Sequence, residues 1–398
     1  MNPALLPIFL IVVVDILGLT IILPLLPFYS EHFGASPFVY GTLAATFSAC
    51  QLIAGPILGK LSDRFGRRPL LLISQLGTLI GFLILAFASS LSMIFLSRVI
   101  DGLTAGNLSL AQAYISDVTE PKDRAKSFAI IGIAFGLGFL IGPALSGFLS
   151  QYGYKWPILV AAGLSATSIL ATYFLLPEGT HKLGIPEKSE TAGPAAPGGK
   201  RLGLLSWGEY ARYFRDPKLS RFLIQFFLFC FGFALFTGGF ALFAERRFVH
   251  DGLPFGPKQV GYLFAYSGLL GVIFQGGLIG RLVARFGERA LVRAGFVSMA
   301  IGYGLLAFSY NIPILLVAST FASFGTGTLR PALTSLISQS VGRKEQGVVL
   351  GLNQSLNSIA QIIAPPLAGL LIAQGFLSLW ACLAGLVAAL GVLLSLTA

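Results

Sequence analysis

Charge is scarce in this chain: of its 398 residues, Asp, Glu, Lys and Arg together make up 11%, less than half the share carried by a soluble domain of ordinary composition. A surface built for water is therefore excluded, and with it a soluble enzyme and a disordered chain. Cysteine is scarcer still. Cys50, Cys230 and Cys382 lie far apart, each inside an apolar run, which fits neither a disulfide framework nor a cysteine metal centre. Histidine occurs three times, at His32, His181 and His250, always outside the apolar runs. An intramembrane enzyme with a nucleophile and a neighbouring base is thereby excluded. No stretch reads G-x-x-x-x-G-K-[ST], since Gly193 to Lys200 fails in spacing and in the final hydroxyl. Work driven by nucleotide hydrolysis has no site here, and no cofactor or metal is expected.

What is abundant is apolar surface: 55% of residues are hydrophobic, including 34 Phe, and the mean hydropathy is +0.82. Runs long enough to cross a bilayer fall near 5–27, 39–60, 69–88, 91–115, 125–149, 156–176, 219–243, 259–281, 290–309, 312–338, 346–373 and 377–396, twelve in all. If the N-terminus is cytoplasmic, 21 of the 27 Lys and Arg fall in inner segments and four (Lys155, Arg246, Arg247 and Lys258) in outer loops. The positive-inside rule then places both ends in the cytoplasm of a multi-pass protein of the cell (inner) membrane. The net charge of +11 is a topology signal, so nucleic acid is not expected as a partner. The first run lacks a basic n-region and carries Asp15, Pro24 and Pro27. It is a retained helix rather than a signal peptide.

One long break in hydrophobicity, 177–217, mixes Pro and Gly with charge and ends in aromatic and basic residues suited to a helix in the membrane interface. It divides the chain into a six-helix unit over 1–176 and another over 218–398. The units are copies. Gly59-Lys-Leu-Ser-Asp-Arg-Phe-Gly-Arg-Arg68 returns as Gly280-Arg-Leu-Val-Ala-Arg-Phe-Gly-Glu-Arg289, six identities in ten at an offset of 221, and Pro143 with Gly147 returns as Pro365 with Gly369 at an offset of 222. A parallel duplication of six helices is the architecture in which two bundles rock about a midplane site.

The 59–68 stretch resembles the loop 2–3 signature of the major facilitator superfamily. Asp15 with Gly18, Pro24 and Pro27, then Arg98 with Gly102 and Gly106, then Gly138-x-x-x-Gly142-Pro143-x-x-x-Gly147 resemble its drug:proton antiporter branch, the tetracycline/proton antiporters above all. The resemblance covers the whole chain and implies an all-α membrane fold of two six-helix bundles. Two departures are visible. The helix 5 motif ends Ser146-Gly147 instead of Gly-Gly, and the acids that tetracycline exporters carry within helices 3 and 9 have no counterpart.

Once the charges at the span ends are assigned to the loops, only Asp15, Arg98, Asp101 and Arg330 remain as charged residues inside the spans. Such groups face a cavity or a partner. Asp15 and Asp101 each lie about 15 Å deep at 1.5 Å per residue, so both acids reach the midplane. Arg98 stands one turn from Asp101, and spacing continues that face to Gln112. One guanidinium balances one carboxylate, so the other acid is free to carry a proton. The alternative is a pair that pins helix 4, with Asp15 capping a kink. Arg330, about 27 Å from the outer end, either snorkels to cytoplasmic water or holds an anionic group. Asn353, Asn357 and Gln361 form a polar stripe on helix 11, either a cavity wall or interhelical glue. Gln51, Asn107, Gln225 and Tyr266 are single candidates of the same kind. Seven phenylalanines from Phe222 to Phe243 line one face of helix 7, either for packing or lipid contact or as an aromatic wall for lipophilic and cationic ligands. In the signature, Gly59 and Gly66 allow close approach, while Asp63, Arg64, Arg67 and Arg68 form a charge latch expected to hold an outward-open state. Gly138, Gly142, Pro143 and Gly147 allow close packing and a kink in helix 5.

The expected function is a proton-coupled antiporter exporting small amphipathic or lipophilic, cationic or neutral compounds by alternating access. Its partners are protons, a small-molecule substrate and membrane lipids, and a monomer is the expected state. The alternative is an organic-anion or lipid transporter using Arg98 and Arg330. A transport-dead sensor would not need two midplane acids.

Overall fold

The structure, a computed structural model, describes residues 5–119, 124–176, 213–342 and 345–396; most of the 177–217 linker lies outside them. The first span is α1 (Leu5–Ile22) with α2 (Leu26–His32), bent by 44° at their junction. Pro24 and Pro27 lie at that bend, where a ring nitrogen cannot donate to the preceding turn. The next two spans are α3 (Pro37–Phe65) and α4 (Arg67–Ala86), the fourth is α5 (Leu91–Leu103) with α6 (Asn107–Val118), and α7 (Arg124–Leu149) and α8 (Lys155–Leu175) complete the first bundle. The second bundle holds α9 (Pro217–Arg247), α10 (Pro257–Ile273), α11 (Ile279–Ala307), α12 (Ile312–Gln339), α13 (Gln346–Ala373) and α14 (Leu377–Leu396). A two-residue hairpin, β1 (Val249–His250) with β2 (Leu253–Pro254), is the sheet among the described residues. Ser36, Ser90, Asp216 and Asn311 cap α3, α5, α9 and α12 with side-chain oxygens.

Two expected spans are interrupted. The eighth runs from α10 through a π turn at Phe274–Leu278 into the start of α11. The fourth breaks at Thr104–Gly106. Ser74 of α4 satisfies that break, donating to the Thr104 carbonyl and accepting the Gly106 N–H at 2.9 Å. Irregular backbone at membrane depth survives only with such partners.

The signature stretch is mostly helix, not loop. Helix α3 continues to Phe65, and the whole reversal falls on Gly66 at φ +94°, which caps α3 and opens α4. The second copy puts Gly287 at φ +77° at the equivalent place in α11. Only glycine adopts this backbone without strain, so the duplication conserves a mechanical joint.

The bundles meet on the side away from the chain termini and part on the termini side. Gly41 of α3 lies against the backbone of Pro365 and Pro366 in α13, and Gly369 lies against Pro37. In the other seam Gly147 of α7 meets Lys258 and Gly261 of α10, while Gly268 meets Phe139. Two heptads nearer the termini, on the faces of Gly41 and Pro365, Gly55 and Gly351 have no neighbour among the described residues within 4 Å of where a Cβ would stand. The result is a cleft open toward the termini.

Candidate functional site

The two acids of the spans belong to the first bundle, Asp101 buried and Asp15 half-buried. The Asp15 carboxyl stands against the Ser168 hydroxyl of α8 and within electrostatic reach of Asp101. Gln75 of α4 donates from Nε2 to Ser168 Oγ at 2.9 Å, and Ser165 Oγ donates to the Gln75 carbonyl at 3.2 Å. Asp101 pairs with Arg98 at 3.4 Å and meets the Thr78 hydroxyl, with 5% of Asp101 and 4% of Arg98 exposed. The spacing-based pair is thus present. Helix α4 touches both acids from one face, through Thr78 directly and through Gln75 by way of Ser168.

The break in the fourth span corrects the expected polar face: Arg98 and Asp101 are buried on α5, whereas Gln112 is exposed on α6. The turn at 104–106 interrupts the 3.6-residue register that linked them. Half-buried Asn107 opens α6 with its Oδ1 unpartnered.

The other candidates have varied surroundings. Gln51 is half-buried on α3, and Tyr266 shares a 2.8 Å hydrogen bond with Thr320 within the second bundle. Gln225 and Asn353 are buried with unpartnered amide atoms. Asn357 is half-buried and Gln361 exposed, one turn from Pro365 and the seam. The stripe therefore runs from the bundle interior to the head of the cleft. Arg330 is exposed on α12, near enough to Cys230 of α9 for its charge to be felt there. The phenylalanine face of α9 turns inward for much of its length: Phe236 stacks on Tyr303 at 5.0 Å, Phe243 meets Trp380 at 4.9 Å, and Phe240 meets Phe264 at 5.4 Å. Packing is the reading this geometry favours, and lipid is not its partner there.

The signature charges tie the first bundle to itself. Arg67 bonds Asp63 at 2.8 Å and Asp117 of α6 at 2.9 Å, and Arg68 donates to the Tyr173 carbonyl of α8. Gly59 faces open space, and Arg64 is exposed beside Phe65. In helix 5, Gly138 and Gly142 admit Ile16 and Thr20 of α1, and Thr20 donates to the Gly138 carbonyl at 2.8 Å. Pro143 and Gly147 serve the seam with α10.

Composition and spacing passed over two features. Ser168, Gln75 and Thr78 are neutral residues in apolar helices, whose one signal is a polar face at 165, 168 and 172 on α8. The other is an ionic link across the closed side, Arg246 of α9 to Glu31 of α2 at 2.6 Å and to Glu245 at 3.0 Å. Nearby Tyr154, just before α8, has its phenol pushed up by burial and by Glu245 and Glu31.

The sequence profile of the Major Facilitator Superfamily matches residues 8–285 and 249–398. The class E tetracycline resistance protein of Escherichia coli is 32% identical, with 92% of this chain and 87% of that protein covered. Multidrug resistance protein 2 of Bacillus subtilis (strain 168) is 28% identical, covering 90% and 86%. Among solved structures, the human organic anion transporter MFSD10 (TETRAN) superposes with a TM-score of 0.74 over 99% of each chain at 24% identity, a likeness of fold. With its duplicated six-helix bundles, its paired glycine joints and these relatives, the chain is a multi-pass membrane transporter, not an enzyme, and belongs to the major facilitator superfamily.

Proposed function

We propose that this transporter is a proton-coupled antiporter of the inner membrane that exports small lipophilic compounds, cationic or neutral, by alternating access. The observation that carries the reading is the placement of Asp15: a second midplane acid, beside an Asp101 already matched by Arg98, in hydroxyl and amide surroundings that can bind either of its protonation states. With both termini in the cytoplasm, as the basic segments require, the cleft is inward-open and the Gly41–Pro365 and Gly147–Gly261 seams close the outside. The names of the tetracycline and multidrug resistance relatives support export of drug-like compounds. An anion carrier would draw on Arg98 and Arg330, but Arg98 is buried and paired with Asp101, which leaves that reading to Arg330.

Asp101 is buried within the first bundle and Asp15 is half-buried beside it, so coupling runs through the bundle's conformation: protonation and substrate each favour a different state, and each changes the affinity for the other. The test is proteoliposome transport of ethidium, a neutral dye and an anionic dye under an imposed pH gradient. Gradient-driven accumulation of ethidium or the neutral dye by the native protein, lost in Asp15→Asn at unchanged thermal stability, is expected. Accumulation of the anionic dye alone, lost in Arg330→Gln and kept in Asp15→Asn, would put the anion carrier in its place.

A further inference from the structure

Gln75 and Ser168 are both 0% exposed. In the structure the amide of Gln75 donates from Nε2 and Ser168 Oγ accepts, at 2.9 Å. The serine hydrogen is thus free to turn toward the Asp15 carboxyl, which lies within reach of the same hydroxyl. This chain of donors, Gln75 to Ser168 to Asp15, suits an Asp15 carboxylate that only accepts. The other end of the same amide is anomalous. Gln75 Oε1 is buried and has no hydrogen-bond partner, an arrangement that native interiors avoid unless the group has another use.

We propose that Gln75 and Ser168 are positioning residues forming a reversible hydrogen-bond wire that senses whether Asp15 carries a proton, with the unpartnered Gln75 Oε1 as the acceptor used in the protonated state. The inference rests on the reading of Asp15 as the proton site. A proton arriving on an Asp15 oxygen makes that oxygen a donor, and Ser168 Oγ becomes its acceptor. The serine hydrogen must then turn away, and the group within reach is the Gln75 amide. The terminal torsion of glutamine is broad and two-fold, so one rotation of the carboxamide presents Oε1 in place of Nε2. Every donor then runs the other way, from Asp15 to Ser168 to Gln75, and no covalent bond changes except O–H on Asp15.

The wire ends on α4, the helix that begins at the Gly66 joint and whose Thr78 touches Asp101 one turn further along. A protonation event at half-buried Asp15 is thus registered at the interface of α4 with α8. The charged group facing Asp15 is Asp101 of α5, itself paired with Arg98. Among the described residues α4, α7 and α8 bring no ionisable side chain to that level, and Tyr114 of α6 is buried in the apolar cluster that also holds Ile8, Ile11 and Ile16.

Infrared difference spectroscopy of the reconstituted native protein between acid and alkaline pH tests this without any substrate. The expected result is a protonated-carboxyl band absent from Asp15→Asn and a side-chain amide band absent from Gln75→Leu, both titrating with one midpoint. Ser168→Ala should uncouple them: the Gln75 band becomes independent of pH. The carboxyl midpoint should move to higher pH by about one unit, the size of one hydrogen bond to a charged group. Adding Gln75→Leu to Ser168→Ala should move it no further, since a wire already cut cannot be cut again, whereas two separate structural effects would add. A Gln75 band that ignores pH in the native protein overturns the wire, and that measurement needs no variant at the serine. An absent Asp15 band would instead remove the reading of Asp15 as the proton site. Failure of gradient-driven transport alone would remove the antiporter and leave the wire standing.

Discussion

The two bundles descend from one six-helix pattern, yet at equivalent positions beside Asp15 their interiors are built from opposite chemistry. At the offset of 221 that relates the signature copies, Asp15 corresponds to Phe236, Gln75 to Phe296 and Thr78 to Met299. The first set is a polar network. The second packs Phe236 on Tyr303 at 5.0 Å and on Trp380 at 6.4 Å, with Phe296 and Met299 fully buried. An aromatic interior has one arrangement of lowest energy and resists change, whereas a network of hydroxyl, amide and carboxyl has two hydrogen-bonding patterns close in energy. On the proposed function the duplication separates the labour: the first bundle titrates and the second is a stiff wall against which it moves.

The comparison can be broken at its strongest point by Trp380→Ala. This side chain is fully buried, donates from Nε1 to the Leu235 carbonyl at 3.0 Å and packs on Phe243. Its removal should destabilise the protein by about 3 to 5 kcal/mol, read as a lower Tm in detergent, while the pH dependence of the surviving folded protein stays where it was. A shifted pH dependence would mean that the second bundle takes part in proton binding.

The seam between the halves comes next. A side chain at Gly41 meets the backbone of Pro365 and Pro366, which cannot withdraw, so Gly41→Val should cost the inward-open state about 1 to 3 kcal/mol. A cysteine replacing buried Ala368, in a background with Cys382 replaced, should then react with an outside maleimide at least five times faster. Unchanged labelling would show that the seam does not close the outside.

Arg246→Ala removes the ionic link between α9 and α2. The pair is partly exposed, with 32% of the Arg246 and 20% of the Glu31 side chain in contact with solvent, so it is worth about 1 kcal/mol at most. The same labelling rate should rise up to about fivefold, and less at high salt.

Asp15, Arg98 and Asp101 were legible in the sequence because an ionisable residue in a twenty-residue apolar run has few reasons to be there, and the i, i+3 spacing gave the pair. The twelve spans and the repeat followed from composition and offset. The break at Thr104–Gly106 was not legible: Gly102 and Gly106 suit close packing in an unbroken helix equally well, and the group that satisfies the break, Ser74, comes from another helix. Gln75 and Ser168 were missed for a related reason. A serine inside a helix can bond its own preceding turn, so only the tertiary approach of α4, α8 and α1 distinguishes these from ordinary polar residues. The glycine joint was half visible: repetition of Gly66 as Gly287 marked it, but its positive φ appears only in the fold.

Proton release on substrate binding tests the separation of proton and substrate most directly. Ethidium added to the detergent-solubilised protein in weakly buffered solution should release protons from the native form. Asp15→Asn, which holds a neutral side chain at that position, should release none and should bind ethidium with a Kd that no longer depends on pH and matches that of the protonated native form. Proton release persisting in Asp15→Asn, or ethidium binding that keeps the native pH dependence in it, would contradict the account.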